Sequence, residues 1–207
     1  MAEDYSLDRA YRVDGPEAAR RLYGEWAASY DDAFGGDWGY VAPREIARLL
    51  LAEVGDLTPI LDIGAGTGQV AEHLCGLPVD GIDITPEMLA IAETKGLYRD
   101  LIEGDLTRPL DLPDGIYGAV ISCGTFTHGH VGPECLPELL RVTRPGAPFC
   151  CSTRPDVFDR MGFGSALARL VALGRITPVR FRMIDIYEGA THAHKDDKGL
   201  AILFRRI

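Results

Sequence analysis

The sequence has no apolar run approaching the length needed to cross a bilayer. Its first residues, Met-Ala-Glu-Asp-Tyr-Ser, lack the basic and apolar stretches of a secretory signal and the arginine bias of a transit peptide. These absences set the expectation of a soluble, cytoplasmic protein with no membrane partner. Internal repeats and low-complexity tracts are missing too, so solenoids and extended linkers drop out. Cysteine is sparse: Cys75, Cys123, Cys135, Cys150 and Cys151 are an odd set, and none stand in C-x-x-C spacing. A disulfide framework or zinc knot has little to build on. Cys150 and Cys151 are adjacent on an expected strand and should face opposite sides of it, as reduced core residues. His192 and His194 lie in a polar loop without a third convergent ligand, so no metal is expected.

Positive charge is the other shortage. Formal net charge is −10, with 21 Lys and Arg against 31 Asp and Glu. Residues 1–100 carry 8 basic and 19 acidic residues, the remainder 13 and 12. Such a chain repels phosphate backbones, which argues against free nucleic acid as a partner. What is present is one domain's worth of ordinary apolar content, with 24 glycines suited to a turn-rich α/β protein.

The centre of the pattern is Ile60-Leu61-Asp62-Ile63-Gly64-Ala65-Gly66-Thr67-Gly68-Gln69-Val70. Ile60, Leu61 and Ile63 read as a strand buried on both faces. Alternating glycines give a sharp turn and close backbone approach to a ligand. A helix is expected to begin after Gln69. Asp62 ends the strand, where open α/β sheets bind ligands. A dinucleotide site needs G-x-G-x-x-G, but here Gln69 stands at the third glycine's place.

Downstream, Val79–Ile84 reads as a second strand. Asp83 lies about 20 residues past the turn, where an acid can hold ribose hydroxyls. Thr85-Pro86-Glu87 starts a helix with Met88, Ile91 and Ala92 on its periodic face. Met88 suits either the core or an adenine wall. Further strands are expected at 98–102, 116–123 and 149–152, with helices over 136–142 and, weakened by Gly162 and Gly164, 157–173. Two-residue alternation over 179–187 and a strand at 201–204 suggest an antiparallel closing pair. Near the start, Pro16 and Glu17 open a helix carrying Ala19, Leu22, Tyr23, Trp26 and Tyr30 at helical spacing. Pro43 opens another, closed by Gly55.

The Asp-x-Gly-x-Gly-x-Gly run resembles motif I of the class I S-adenosylmethionine (SAM) methyltransferases. Trp26-Ala27-x-x-Tyr30-Asp31, Gly104-Asp105-Leu106 and Arg144-Pro145-Gly146 resemble further segments of that family. Gly96-Leu97-Tyr98, the 124–131 loop and Leu136-Pro137-Glu138-Leu139-Leu140 resemble its branch named for the Williams–Beuren syndrome region. The resemblance implies a Rossmann-like, mostly parallel seven-stranded α/β sheet in order 3-2-1-4-5-7-6, with helices on both faces. It implies SAM as cofactor and S-adenosylhomocysteine (SAH) as product. Gly64, Ala65, Gly66 and Gly68 would form the cofactor floor beside Asp62, and Ile84 would lie on the adenine. Asp105 would accept from the adenine amino group, with the Leu106 N–H against the ring. Tyr30 would fold over the cofactor or anchor its helix. Cys123 would end the fourth strand beside the methyl site.

The expected organisation is one domain over 1–207, with a helical lid over 1–40 and an α/β core over 41–207. The expected activity is methyl transfer to a small-molecule acceptor, governed by positioning. His128 is the candidate base and His130 the weaker one, the alternative being wall or capping residues. Cofactor binding without catalysis and a nicotinamide-dependent oxidoreductase are the competing readings.

Overall fold

The computed structural model describes Val13 and residues 15–32, 38–127 and 131–207. Its strands are β1 Ile60–Ile63, β2 Val79–Asp83, β3 Asp100–Glu103, β4 Ala119–Phe126, β5 Pro148–Thr153, β6 Arg180–Asp185 and β7 Lys198–Arg205. They form one seven-stranded sheet in the order β3-β2-β1-β4-β5-β7-β6. β1 to β5 are mutually parallel, and β7 runs antiparallel between β5 and β6. The chain therefore reverses at β1, between β2 and β4, which opens a crevice at the carboxyl ends of the strands.

Two apolar layers sandwich the sheet. On one side lie α1, Pro16–Trp26, and α2, Ala42–Val54, which bury Leu22, Trp26, Ile46 and Leu50 with Ile60, Ile121 and Cys150. On the other lie α4, Leu136–Val142, and α6, Phe163–Ala172, burying Leu139, Val142, Phe163 and Leu167 with Leu61, Val120 and Cys151. Cys150 and Cys151 do take opposite faces. α3, Pro86–Lys95, packs beside β2 and β3. The short α5 spans Pro155–Arg160. All five cysteines are free thiols.

Some expected elements differ. The helix anticipated after Gln69 is a single 3-10 turn, Ala71–His73, because Cys75 and Gly76 both turn to positive φ and stop it. The helix anticipated over 157–173 divides into α5 and α6 at Gly162, whose φ is +76°. β3 begins at Asp100, so Tyr98 precedes the strand and is used elsewhere. β4 continues to Phe126 through a register shift against β5 after Ser122. On α3 the buried face is Met88, Leu89 and Ala92, with Ile91 only partly covered. Pro16, Pro43 and Gly55 stand where the helix-end chemistry places them. Among the described residues, no helix is long and apolar enough to cross a membrane.

Candidate cofactor and acceptor site

The glycine turn follows directly from β1. The Gly64 and Ala65 N–H groups both donate to the Ile82 carbonyl, at 2.8 and 3.0 Å, tying the turn to β2. From β4, Ser122 Oγ and Thr125 Oγ1 donate to the Ile63 carbonyl at 3.0 and 2.8 Å. The three glycines have different reasons to be glycine. A Cβ on Gly64 would overlap Thr125 Oγ1, and one on Gly68 would stand 3.1 Å from the Tyr98 ring. At Gly66, with φ +54°, nothing lies within 4 Å of that Cβ position. The protein crowds Gly64 and Gly68, whereas Gly66 presents bare backbone to open space.

That space is a cavity of about 750 Å³, its mouth included. Gly64 and Gly66 form part of its floor, with Asp83, Ile84, Thr85 and Met88 along one side. Gly104, Asp105, Leu106 and Thr107 close another side, and Tyr23 and Tyr30 come from the N-terminal segment. Pro16, Ala19, Cys123, Gly124, Thr125 and Val131 complete the wall. Asp83 Oδ2 accepts the Gly66 N–H at 2.8 Å and Oδ1 the Thr85 N–H at 2.9 Å. Burial nonetheless pushes the Asp83 carboxyl above the usual range, against the pull of those N–H groups. Thr85 holds the N-cap position of α3, but its side chain caps nothing, and Asp83 takes its N–H instead. Asp105 Oδ1 accepts from the Thr107 N–H and hydroxyl.

Expected site residues divide accordingly. Tyr30, Gly64, Gly66, Asp83, Ile84, Met88, Asp105, Leu106 and Cys123 line this cavity; Asp62, Ala65 and Gly68 do not. Asp62 is fully buried, with its Oδ2 accepting from Tyr98 Oη at 2.7 Å and its Oδ1 lacking a hydrogen-bond partner among the described residues. Burial pushes its pKa up to about 7. Burial likewise pushes Cys123 up to about 11, and its Sγ shares a hydrogen bond with Tyr40 Oη at 3.3 Å. His128 and His130 lie outside the described residues. His192 and His194 engage the Trp38 carbonyl and Asp197, and no metal-binding cluster occurs among the described residues.

Two features went unread in the sequence. Asp31 reaches from the N-terminal segment onto the glycine turn. Its Oδ1 accepts from Thr67 Oγ1 at 2.5 Å and from Gln69 Nε2 at 3.1 Å, and Lys95 Nζ lies 2.5 Å from its Oδ2. Gln69, which breaks the dinucleotide pattern, is thus a docking point for that segment. The second feature is another cavity, of about 700 Å³ with its mouth, sharing Tyr23, Tyr30 and Gly124 with the first. Tyr40, Phe126, Thr127, Ser152, Ile184 and Tyr187 are among its other walls. No local motif marks it, because its residues come from the N-terminal segment, α2, β4, β5 and the β6–β7 pair.

The residues present fit SAM. An open backbone position beside a carboxylate can admit a ribose, and apolar Ile84, Met88 and Leu106 suit a purine.

Comparison with known proteins agrees. Residues 61–151 match the family model described as a methyltransferase domain. Human methyltransferase-like protein 27 is 37% identical over 151 residues, covering 68% of this chain and 60% of that protein. The chain thus spans about three fifths of that relative's length. Among solved structures, the [4+2]-cyclase SpnF aligns with a TM-score of 0.67 at 17% identity, over 94% of this chain and 98% of that one. A putative SAM-dependent methyltransferase from Methanococcus maripaludis aligns with a TM-score of 0.58 at 14% identity, over 100% and 97%. At those identities the structures speak for the fold alone. Domain match, sheet order and glycine turn coincide: residues 61–151 are a methyltransferase domain, on the fold of the SAM-dependent methyltransferases.

Proposed function

We propose that this chain transfers a methyl group from SAM to a small-molecule acceptor. The carrying observation is the bare backbone at Gly66, in a cavity that shares a wall with a second chamber. When bound, SAM supplies an electrophilic methyl group on a sulfonium. In this reading Asp83 holds the ribose hydroxyls, Ile84, Met88 and Leu106 flank the adenine, and Asp105 accepts from its amino group. Tyr23, Tyr30 and Gly124, common to both cavities, fix how an acceptor meets the cofactor site, so orientation lowers most of the barrier. Asp31 holds the N-terminal segment over the glycine turn, and residues 1–40 act as a lid coupled to binding. His128 takes the acceptor's proton. The −10 net charge and the ring-lined chamber beside the cofactor cavity favour a small acceptor over a nucleic acid, in a cytoplasmic setting.

Because a [4+2]-cyclase shares the fold, binding of SAM without methyl transfer is the competing reading. Incubation with labelled SAM and a fractionated small-molecule extract separates the two. Transfer of label into a small-molecule fraction, lost in Gly66→Val, is the expected result. Saturable SAM binding with no labelled product in any fraction would favour the competing reading. Once an acceptor is in hand, His128→Ala should lower kcat at least tenfold, about 1.4 kcal/mol. A smaller loss leaves His128 as a wall residue.

A further inference from the structure

The walls of the second chamber narrow the acceptor's chemistry. Rings dominate one side: Tyr30, Tyr40, Phe126 and Tyr187, with the Tyr40 and Tyr187 rings 5.9 Å apart and inclined at 46°. Ile184 and Ile186 add aliphatic surface. The polar groups there make bonds within the protein. Ser152 Oγ accepts the Gly124 N–H at 3.1 Å, and Thr153 Oγ1 donates to the Phe126 carbonyl at 2.8 Å. The Arg154 guanidinium donates to Asp156 and Asp197 at 3.1 and 2.9 Å. No carboxylate lines the chamber among the described residues. Burial also holds the Tyr30 and Tyr40 hydroxyls well above their ordinary pKa, so both rings stay neutral.

These walls reward a flat apolar body. Ring faces and edges add attraction for another ring beyond the area it buries. A cationic amine would give up hydration without meeting a counter-anion among the described walls, and it is no nucleophile until it loses a proton. Tyrosine faces also attract cations, so that outcome belongs in the test. We propose that the second chamber takes a planar aromatic acceptor whose nucleophilic atom enters uncharged, held by the rings of Tyr30, Tyr40 and Tyr187 and not by an ion pair. The proposal rests on the methyltransferase reading of the adjoining cavity.

Binding tests it without turnover. The full chain, alone and saturated with SAH, is titrated calorimetrically with three probes of one ring size. These are 2-naphthol, its saturated counterpart decahydro-2-naphthol, and the cationic decahydro-2-naphthylamine. The expected result is that 2-naphthol binds at least tenfold tighter than either saturated probe. Tyr187→Leu should reduce that preference below threefold and Tyr187→Phe should retain it, with SAH affinity unchanged in both, since Tyr187 does not line the first cavity. If Tyr187→Leu fails to fold, Thr127→Trp at the partly exposed wall takes its place and should block 2-naphthol while SAH still binds. Equal affinity for aromatic and saturated probes overturns the proposal. So does preference for the amine, absence of 2-naphthol binding, or indifference to the wall substitutions. SAH binding without an aromatic preference removes this proposal alone. An aromatic preference without SAH binding removes the cofactor reading and leaves the chamber's selectivity standing.

Discussion

The two adjoining cavities are built by different means. In the first, part of the floor is bare backbone, at Gly64 and Gly66 of a turn held by β2 and β4 at the point where the sheet order reverses. Its carboxylates are local to that frame, with Asp83 bonded to the Gly66 and Thr85 N–H groups. In the second, side chains from distant segments make the surface, and aromatic rings replace carboxylates. A backbone site is fixed by the fold and can be kept across a family. A side-chain site can be rebuilt ring by ring without touching the sheet, which lets one cofactor serve many acceptors.

The sharpest way to break this contrast is at the glycines. Gly66→Val fills the open position, and SAH affinity should fall at least 100-fold, about 2.7 kcal/mol. Gly64→Ala meets Thr125 instead, so it should show first in folding stability, at about 2–4 kcal/mol in denaturant unfolding. If Gly64→Ala melts like the parent protein, crowding by β4 is not what keeps that residue a glycine.

Asp62 accepts from Tyr98, whose ring packs against Gly68, without itself lining the cavity. Its folded pKa of about 7 lies above the ordinary carboxyl value, so the folded state keeps a proton that the unfolded chain gives up. Its stabilising share is complete below about pH 4 and is lost as pH rises through 7. Asp62→Asn removes that slope. Its stability relative to the parent should improve by about 2–4 kcal/mol between pH 4 and 8, measured by urea unfolding. A difference independent of pH would mean that Asp62 is ionised throughout.

Asp83→Ala should weaken SAH binding by about 1–3 kcal/mol, the range for losing hydrogen bonds to a charged group. Unchanged calorimetric affinity would place the ribose elsewhere. The smallest expected effect concerns the lid. SAH should slow amide exchange across Pro16–Trp26 several-fold, and Asp31→Asn, which weakens the contacts to Thr67, Gln69 and Lys95, should blunt that slowing. Equal protection with and without SAH would make this segment a fixed wall.

The contrast also explains what the sequence disclosed. The glycine turn, Asp83 and the helix starts were legible because their signals are local: alternating glycines after a buried strand, an acid about 20 residues on, proline at helix starts; the sheet order and the Gly104–Leu106 wall came only through the family resemblance those signals carry. Asp62 stood out for the same reason, yet its neighbour on the strand gives no sign that Tyr98, thirty-six residues away, covers it. The expected helix after Gln69 failed on Cys75, a non-glycine residue at φ +56° that no propensity flags. Asp31 on Gln69, and the ring-lined chamber, depend on contacts between remote segments that periodicity does not encode. Gln69 was read only as a missing glycine, although its amide is what Asp31 binds.

Calorimetric titration of the chain with SAH, repeated at saturating NAD+, tests the central claim most directly. The account predicts saturable binding of one SAH per chain, unchanged by NAD+ and abolished by Gly66→Val in a protein that still unfolds cooperatively. Competition by NAD+, no binding of SAH, or full binding by the valine variant would contradict it.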